Sequence, residues 1–163
     1  MSEIARHRGP EDFAITYFDQ RGNSLQEENN WCLGLAHQHF SPILRGQTSP
    51  QPMAYDGRYW VSVDGVILNA PSVRSQLSNY GHRFKTDSAA ETILASYAQW
   101  GIDCFQKLRG VWALVLADFE RQEVVLCRDR FGVKPLYYAY AQQAICVVSE
   151  IKQLKAALNF SPN

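Results

Sequence analysis

A thiol, two imidazoles and a carboxylate lie in one stretch of the chain, on Cys32, His37, His39 and Asp64. These are the side chains that zinc takes as ligands in proteins, so a metal site is one hypothesis. The sequence does not fix the geometry of the four side chains, and a reshaped polar pocket is the alternative. We favour the polar pocket, and we expect neither a metal nor a cofactor.

Four cysteines occur along the chain, at Cys32, Cys104, Cys127 and Cys146, and none of them has CxxC spacing. Most of them stand beside apolar residues, which is typical of reduced and mostly buried thiols. A disulfide framework or a zinc site is the alternative.

The 163 residues are enough for one domain with a sizeable core. Lys and Arg together number 16, as do Asp and Glu, so the net charge is zero. Sequence-independent binding to nucleic acid needs a cationic surplus, and we expect no nucleic-acid partner. No apolar stretch approaches the roughly 20 residues that span a bilayer, and the first residues lack the apolar core of a signal peptide. We therefore expect a cytoplasmic protein without a membrane partner.

The elements that must position these side chains are short strands, then two helices, then more strands. Strands are predicted at 13–18, 31–37, 58–63 and 82–86, with one hairpin from 110–119 and 123–129 and another from PLYYAYA and AICVVSE. Helices are predicted from Pro71 to Gly81, from Ser88 to Gly101 and from Glu150 to Leu158. Strand and helix do not alternate regularly, so the pattern predicts an α+β fold with largely antiparallel sheets.

A tight turn is predicted where the third strand ends, at Asp64 and Gly65, because this dipeptide suits the backbone angles of a two-residue hairpin loop.

Six strings of residues carry more information than periodicity. They are RHRGPED (6–12), QPM (51–53), DGVILN (64–69), GHRFKTDSAAETIL (81–94), RDRFGVKPLYY (128–138) and SEIKQL (149–154). In this order and at these separations they resemble the glutaminase domain of asparagine synthetase B-type enzymes, which are class II glutamine amidotransferases of the N-terminal-nucleophile hydrolase superfamily. The resemblance covers nearly the whole chain. It implies a four-layer αββα fold of two antiparallel sheets.

The resemblance also implies a mechanism. In the family, an N-terminal cysteine attacks the side-chain amide of glutamine, with its own α-amino group as base. The ammonia then travels to an ATP-using synthetase domain. Here only five residues precede Arg6, and no cysteine occurs before Cys32. We therefore expect a single domain over 1–163 that lacks the family's first strand, its catalytic cysteine and a synthetase domain.

Ser2 could in principle replace the cysteine, because serine serves as the N-terminal nucleophile in related hydrolases. The spacing from Ser2 to Arg6 is too short for Ser2 to take the place of the cysteine. An ordinary surface serine is expected, and no catalytic residue is assigned.

Three positions that bind glutamine in the family have other residues here. His39 stands where the resemblance implies an arginine for the substrate's α-carboxylate, and imidazole cannot replace a bidentate guanidinium. Asp64 stands where an asparagine amide would stabilise the oxyanion, although Gly65 is kept. Ala89 stands where an aspartate would bind the α-ammonium, while Glu91 is retained.

The RDRFGVKP segment is kept, with Arg128, Asp129, Arg130 and Lys134 all present. In the family this segment lies near the contact with the synthetase half. It is either a well-packed turn with internal ion pairs or a retained docking surface for a partner.

These observations favour a degenerate, non-catalytic domain that acts as a structural or interaction module, beside a separately encoded synthetase-like protein. The alternative is the glutaminase half of an asparagine synthetase whose cysteine-bearing segment lies upstream. Without the first strand, a sheet edge would be exposed, and we expect self-association or partner binding across it, or marginal stability.

Overall fold

The computed structural model describes residues 3–8, 12–25, 31–39, 50–141 and 144–157. The strands are β1 (Asp12–Phe18), β2 (Ser24–Leu25), β3 (Leu33–His39), β4 (Met53–Tyr55), β5 (Tyr59–Ile67), β6 (Gly110–Asp118), β7 (Glu123–Arg128), β8 (Tyr137–Ala141) and β9 (Ala144–Val148). The α-helices are α1 (Ala70–Asn79), α2 (Ala89–Trp100), α3 (Cys104–Lys107) and α4 (Ile151–Ala157), and 3₁₀ turns cover Glu3–Arg8 and Gly101–Asp103.

Every strand pairing in the described residues is antiparallel, which confirms the predicted α+β class. One sheet has the order β2-β1-β3 and another has the order β4-β5-β6-β7, while β8 and β9 form a separate hairpin. Helix α2 packs against β4 and β5, and α4 packs against β8 and β9. The helices therefore lie outside the strands, as a layered sandwich requires.

Strand β5 contacts a different layer with each of its faces, because successive side chains of a strand point to opposite sides. Tyr59, Val61 and Val63 belong to the main hydrophobic core together with residues of α1 and α2. Trp60 and Ser62 point the other way, where they contact Phe18 of β1 and the backbone of β3. The second face of β5 is thus the junction between the two sheets.

The prediction of a tight turn at Asp64 and Gly65 is wrong, because β5 runs through both residues to Ile67. Gly65 pairs with Trp112 of β6 instead. Its φ angle is 152°, and a side chain there would collide with the carbonyl oxygen of Val111. Glycine is needed at 65 for the close approach of two strands, and not for a turn.

The predicted strand at 82–86 is also wrong, because this segment is a loop. The backbone N–H groups of Lys85 and Thr86 donate to the Glu91 carboxylate at 2.8 and 2.7 Å, and not to a neighbouring strand. The predicted N-terminal cap of α2 is confirmed, since the Ser88 hydroxyl accepts a hydrogen bond from the backbone N–H of Glu91. The same glutamate therefore closes the cap and fixes the loop before it.

An aromatic cluster joins the two sheets at one end of their junction. Phe18 is fully buried, and its ring centroid lies 4.7 Å from that of Trp60 and 5.1 Å from that of Phe119. Gly22 follows β1 with a φ angle of 83°, and a Cβ atom there would lie 2.5 Å from Phe119 Cγ. The turn after β1 therefore needs glycine to let the Phe119 ring approach.

Phe18→Ala should lower the free energy of unfolding by about 3–5 kcal/mol, because it leaves a cavity in the only described aromatic cluster that spans both sheets. Urea denaturation followed by circular dichroism measures the effect. Phe13→Ala is the matched control, since Phe13 lies on the same strand and is 44% exposed. Equal losses in the two variants would contradict a special role for the Phe18 junction.

Candidate functional site

A polar network occupies the junction between β3 and β5. The Ser62 hydroxyl donates to the carbonyl of Ala36 at 3.0 Å and lies 3.3 Å from Nδ1 of His37. Nε2 of His37 lies 3.4 Å from the side-chain nitrogen of Gln51. Both ring nitrogens of His37 thus face described polar partners.

The side-chain amide of Gln51 pairs with the backbone at the edge of β5, as the backbone of a neighbouring strand would. Its side-chain oxygen accepts from the backbone N–H of Val63 at 2.7 Å, and its side-chain nitrogen donates to the carbonyl of Val63 at 3.1 Å. The amide group therefore satisfies both backbone groups of one residue, as a paired strand would. The peptide bond between Gln51 and Pro52 is cis. The QPM string indicated that this segment mattered, but nothing in the sequence indicated this contact or the role of Ser62.

Asp64 forms an ion pair with Lys134, whose Nζ lies 2.6 Å from its Oδ1. The two side chains are 40% and 31% exposed, so water reaches both of them. The carboxylate at the position where the resemblance implies an oxyanion amide is therefore neutralised by a cation from a loop distant in the sequence. Nothing in the sequence pointed to this pair, because 70 residues separate the two partners.

The loop that carries Lys134 is organised around a buried carboxylate. Asp129 is 2% exposed and accepts from the backbone N–H groups of Phe131, Val133 and Lys134 at 3.0–3.1 Å, and from that of Trp112 at 3.3 Å. Burial opposes ionisation, but these backbone donors outweigh it and hold the pKa of Asp129 below its usual value. The loop conformation that presents Lys134 to Asp64 therefore depends on Asp129.

The sequence predicted four residues of the RDRFGVKP segment as a possible docking surface, and the structure places two of them in internal contacts and two on the surface. Asp129 is turned inward and Lys134 is paired with Asp64, whereas Arg128 and Arg130 are exposed.

The loop before α2 is held by the charged side chains of Glu91 and Arg74, which we call the frame of this loop. Glu91 is 4% exposed and accepts from the backbone of Lys85 and from both the backbone and the hydroxyl of Thr86. Burial raises its pKa, but these donors outweigh burial, so the pKa of Glu91 is lowered. Arg74 donates to the carbonyls of Thr86 and Ser88. Ala89 opens α2 within this frame and carries no charged group.

The remaining candidates are only partly described. The backbone of His39 pairs with Asp12 in β1, but its side chain and Ser2 lie outside the described residues. Among the described residues no group of three or more His, Cys, Asp or Glu could hold a metal ion. All four cysteines are free thiols, and burial raises the pKa of Cys104 to about 12, while Cys32 is exposed. None of the helices that the structure describes is long and apolar enough to cross a membrane.

This arrangement can be compared with known proteins. Residues 1–163 match the family described as the glutamine amidotransferase domain. The chain belongs to the glutamine amidotransferase domain family. Over 160 residues it is 32% identical to asparagine synthetase [glutamine-hydrolyzing] 1 of Bacillus subtilis, a match that covers 98% of this chain and 23% of the relative. It is 35% identical over 157 residues to a putative asparagine synthetase [glutamine-hydrolyzing] of Mycobacterium tuberculosis, covering 94% and 23%.

This amidotransferase domain therefore spans about a quarter of the length of these relatives. Among solved structures, the glutamine phosphoribosylpyrophosphate amidotransferase of B. subtilis aligns with a TM-score of 0.75 at 19% identity, over 96% of this chain and 38% of that one. That likeness establishes the fold, and it confirms the αββα architecture that the resemblance implied.

Glu91→Gln should lower the free energy of unfolding by about 2 kcal/mol at pH 7, because an amide cannot accept from all the donors that now meet the carboxylate. The Glu91 pKa is lowered from 4.5 in the fold, so its stabilisation is present above pH 4.5 and is lost as the pH falls through the folded value.

Urea denaturation of both proteins between pH 3 and pH 7 measures this difference, which should shrink in acid. Exposed Glu123→Gln is the control. A difference between wild type and Glu91→Gln that is independent of pH would show that the Glu91 charge is not the cause.

Proposed function

We propose that this glutamine amidotransferase domain is a degenerate, non-catalytic member of its family that acts as a structural or interaction module in the cytoplasm. The observation that carries the proposal is the Asp64–Lys134 ion pair. At the position of Asp64, the family resemblance implies an asparagine side chain that donates a hydrogen bond to the developing oxyanion. An ionised carboxylate has no hydrogen to donate.

Lys134 neutralises Asp64 but does not replace the missing amide. Its ammonium group is directed at Oδ1 of Asp64, at 2.6 Å. Loss of one oxyanion donor costs on the order of 3 kcal/mol of transition-state stabilisation, which is about a hundredfold in rate or more. Gly65 could offer one backbone N–H, but a single donor beside a carboxylate is a poor oxyanion hole.

The substrate's charged ends also lack their expected partners. Ala89 has a methyl group where an aspartate would meet the α-ammonium, and His39 is found where an arginine would bind the α-carboxylate. A free amino acid is held mainly through these two charges, because charge-assisted hydrogen bonds are the strong ones. The resemblance thus implies a charged side chain at position 89, and Ala89 does not supply one.

The second candidate is the glutaminase half of a longer asparagine synthetase, which would supply ammonia for amide formation. It is favoured by the intact frame of Glu91 and Arg74, and by relatives named as glutamine-hydrolysing asparagine synthetases. Binding of glutamine separates the two candidates, because it needs the pocket but not the nucleophile.

We expect no heat of binding when L-glutamine is titrated into the folded chain up to millimolar concentration, and no glutamate release in a coupled assay. The variant Asp64→Asn with Ala89→Asp restores an amide donor and a carboxylate, and should bind glutamine measurably more tightly than wild type. Circular dichroism checks that both proteins are folded. Submillimolar binding by wild type would favour the second candidate, whereas glutamate release that scales with its concentration would contradict the non-catalytic proposal and point to a nucleophile within the chain.

The surface that we propose for a partner lies on the RDRFGVKP segment. Phe131 is 86% exposed and Val133 is 59% exposed, and Arg128 and Arg130 of the same segment are exposed. Aromatic and arginine side chains are those that dominate binding energy in protein interfaces. We define the basic aromatic surface as Arg128, Arg130, Phe131 and Val133, which follow one another in this segment. A separately encoded synthetase-like protein is the proposed partner.

A second copy of the chain is the alternative partner. Strand β3 pairs with β1 along one edge, and among the described residues no strand covers its other edge. An open edge is a template for pairing with another chain. Self-association there would not involve the basic aromatic surface.

Arg128→Glu with Arg130→Glu should abolish capture of a synthetase-like protein from an extract of the native source, read by mass spectrometry. Charge reversal in an interface leaves buried like charges and typically costs several kcal/mol. The exposed Arg83→Glu is the matched control. Equal capture by the double variant would exclude this surface. A concentration-dependent dimer in sedimentation velocity that is unaffected by the double variant would instead favour the β3 edge.

A further inference from the structure

The face of β5 that meets the second sheet is covered over only part of its length. Val63 and Ile67 belong to the hydrophobic core, so the alternate residues of β5 point to the opposite face. On that face Ser62 contacts β3, whereas Val66 is 48% exposed and Leu68, just beyond the strand, is 72% exposed. The junction between the two sheets therefore ends in an open apolar area.

Strand β6 extends this area and adds a cation to it. Val111 pairs with Val66, and the backbone N–H of Leu68 donates to the carbonyl of Arg109 at 2.7 Å. Since Leu108 points into the core, the exposed Arg109 points to the same face as Val111. We define the open end of the junction as Val66, Leu68, Arg109 and Val111.

Two glycines bring β5 and β6 close together at the open end. A Cβ atom at Gly65 would collide with the carbonyl oxygen of Val111, and one at Gly110 would collide with that of Val66. The apolar area is thus built on two strands in direct main-chain contact. A surface that is already formed loses less conformational freedom when a partner binds.

A second arginine lies on the same face of the sheet. Arg128 of β7 and Asp64 of β5 are in one row, because both pair with the same residue of β6. The guanidinium of Arg128 packs over Gly132, and Lys134 of the same loop neutralises Asp64. Among the residues that the structure describes, no carboxylate pairs with Arg128 or Arg109. The open end is therefore apolar in its middle and positively charged at its margins.

We propose that the open end of the junction, together with Arg128, binds an acidic segment of a partner protein that has aliphatic side chains between its carboxylates. An exposed apolar area with a polar rim is typical of a protein interaction site. Val66 and Leu68 would contact the aliphatic side chains, and each arginine would bind a carboxylate through two parallel hydrogen bonds. The partner is that of the proposed function, on which this inference rests, and the open end specifies its chemistry.

The composition of the open end disfavours two other occupants. Nucleic-acid bases bind by stacking on aromatic side chains, whereas the floor of this area is aliphatic. A second copy that met this face through its own open end would bring Arg109 and Arg128 of both copies into one interface. Like charges in such an interface cost several kcal/mol.

A library of random peptides tests the chemistry of the partner. Peptides of about 12 residues, long enough to cross the face in an extended conformation, are displayed on phage and selected on the folded chain. We expect the selected peptides to be enriched in aspartate and glutamate together with leucine, isoleucine and valine. Their binding should weaken as the salt concentration rises, because salt screens the charges. A pool without acidic enrichment, binding that is independent of salt, or no selected peptide at all would overturn the proposal.

Two variants locate the binding site. Leu68→Ser and Arg109→Glu should each weaken the binding of a fluorescein-labelled selected peptide by about tenfold or more, measured by fluorescence anisotropy. Ile151→Ser and Arg83→Glu are the matched controls, since both residues are exposed on other elements. Circular dichroism checks that all four variants are folded. Affinities that are unchanged in Leu68→Ser and Arg109→Glu, or reduced equally in the controls, would contradict the open end as the site.

The same variants separate the acidic segment from the proposed function. Capture of a synthetase-like protein that Arg128→Glu with Arg130→Glu abolishes, but that Leu68→Ser and Arg109→Glu leave unchanged, would overturn the acidic segment and leave the proposed function intact. Acidic peptides that bind at the open end, without capture of any synthetase-like protein, would support the acidic segment and overturn the proposed partner. A dimer in sedimentation velocity that Arg109→Glu abolishes would show that a second copy occupies the face, and would overturn the acidic segment.

Discussion

The contact between β3 and β5 is the constraint on which the rest of the structure depends. Two sheets can pack face to face only if the side chains between them are apolar or are satisfied by hydrogen bonds. One end of this junction is aromatic, where the ring of Phe18 meets Trp60. The other end is polar, where β5 presents Ser62 and Asp64. Each polar group there must be matched by a partner from another segment.

Buried carboxylates explain why the loops and turns of this chain have fixed conformations. The carboxylates of Asp129, Glu91 and Asp118 are each almost fully buried and each accepts backbone N–H groups of a loop or turn. Asp118 also receives a bidentate guanidinium from Arg58, with both distances below 3 Å. A buried carboxylate is costly unless all its lone pairs are used, so each loop must close around its carboxylate in one way. The loop that delivers Lys134 to the junction is one such case.

The sequence predicted what depends on neighbours along the chain and missed what depends on distant partners. The cap of α2 follows from Ser88 and Glu91, which are three residues apart, and the β6–β7 hairpin follows from two adjacent β-rich runs. The segment 82–86 has a strand-like composition, yet a buried carboxylate holds its backbone as a loop. Asp64 and Gly65 look like a turn, but pairing with β6 keeps them in the strand. The resemblance pointed to position 64, but the cation at Asp64 comes from Lys134, which no local pattern relates to it.

The Asp64–Lys134 pair is informative because stability alone does not explain it. A half-exposed ion pair contributes about 1 kcal/mol or less, so an uncharged residue at 64 would cost the fold little. The pair neutralises the charge of Asp64, while the buried carboxylates of Asp129 and Glu91 have hydrogen bonds of their own. The lysine therefore keeps the carboxylate from adding an uncompensated negative charge to the polar end of the junction, where Ser62 and His37 lie.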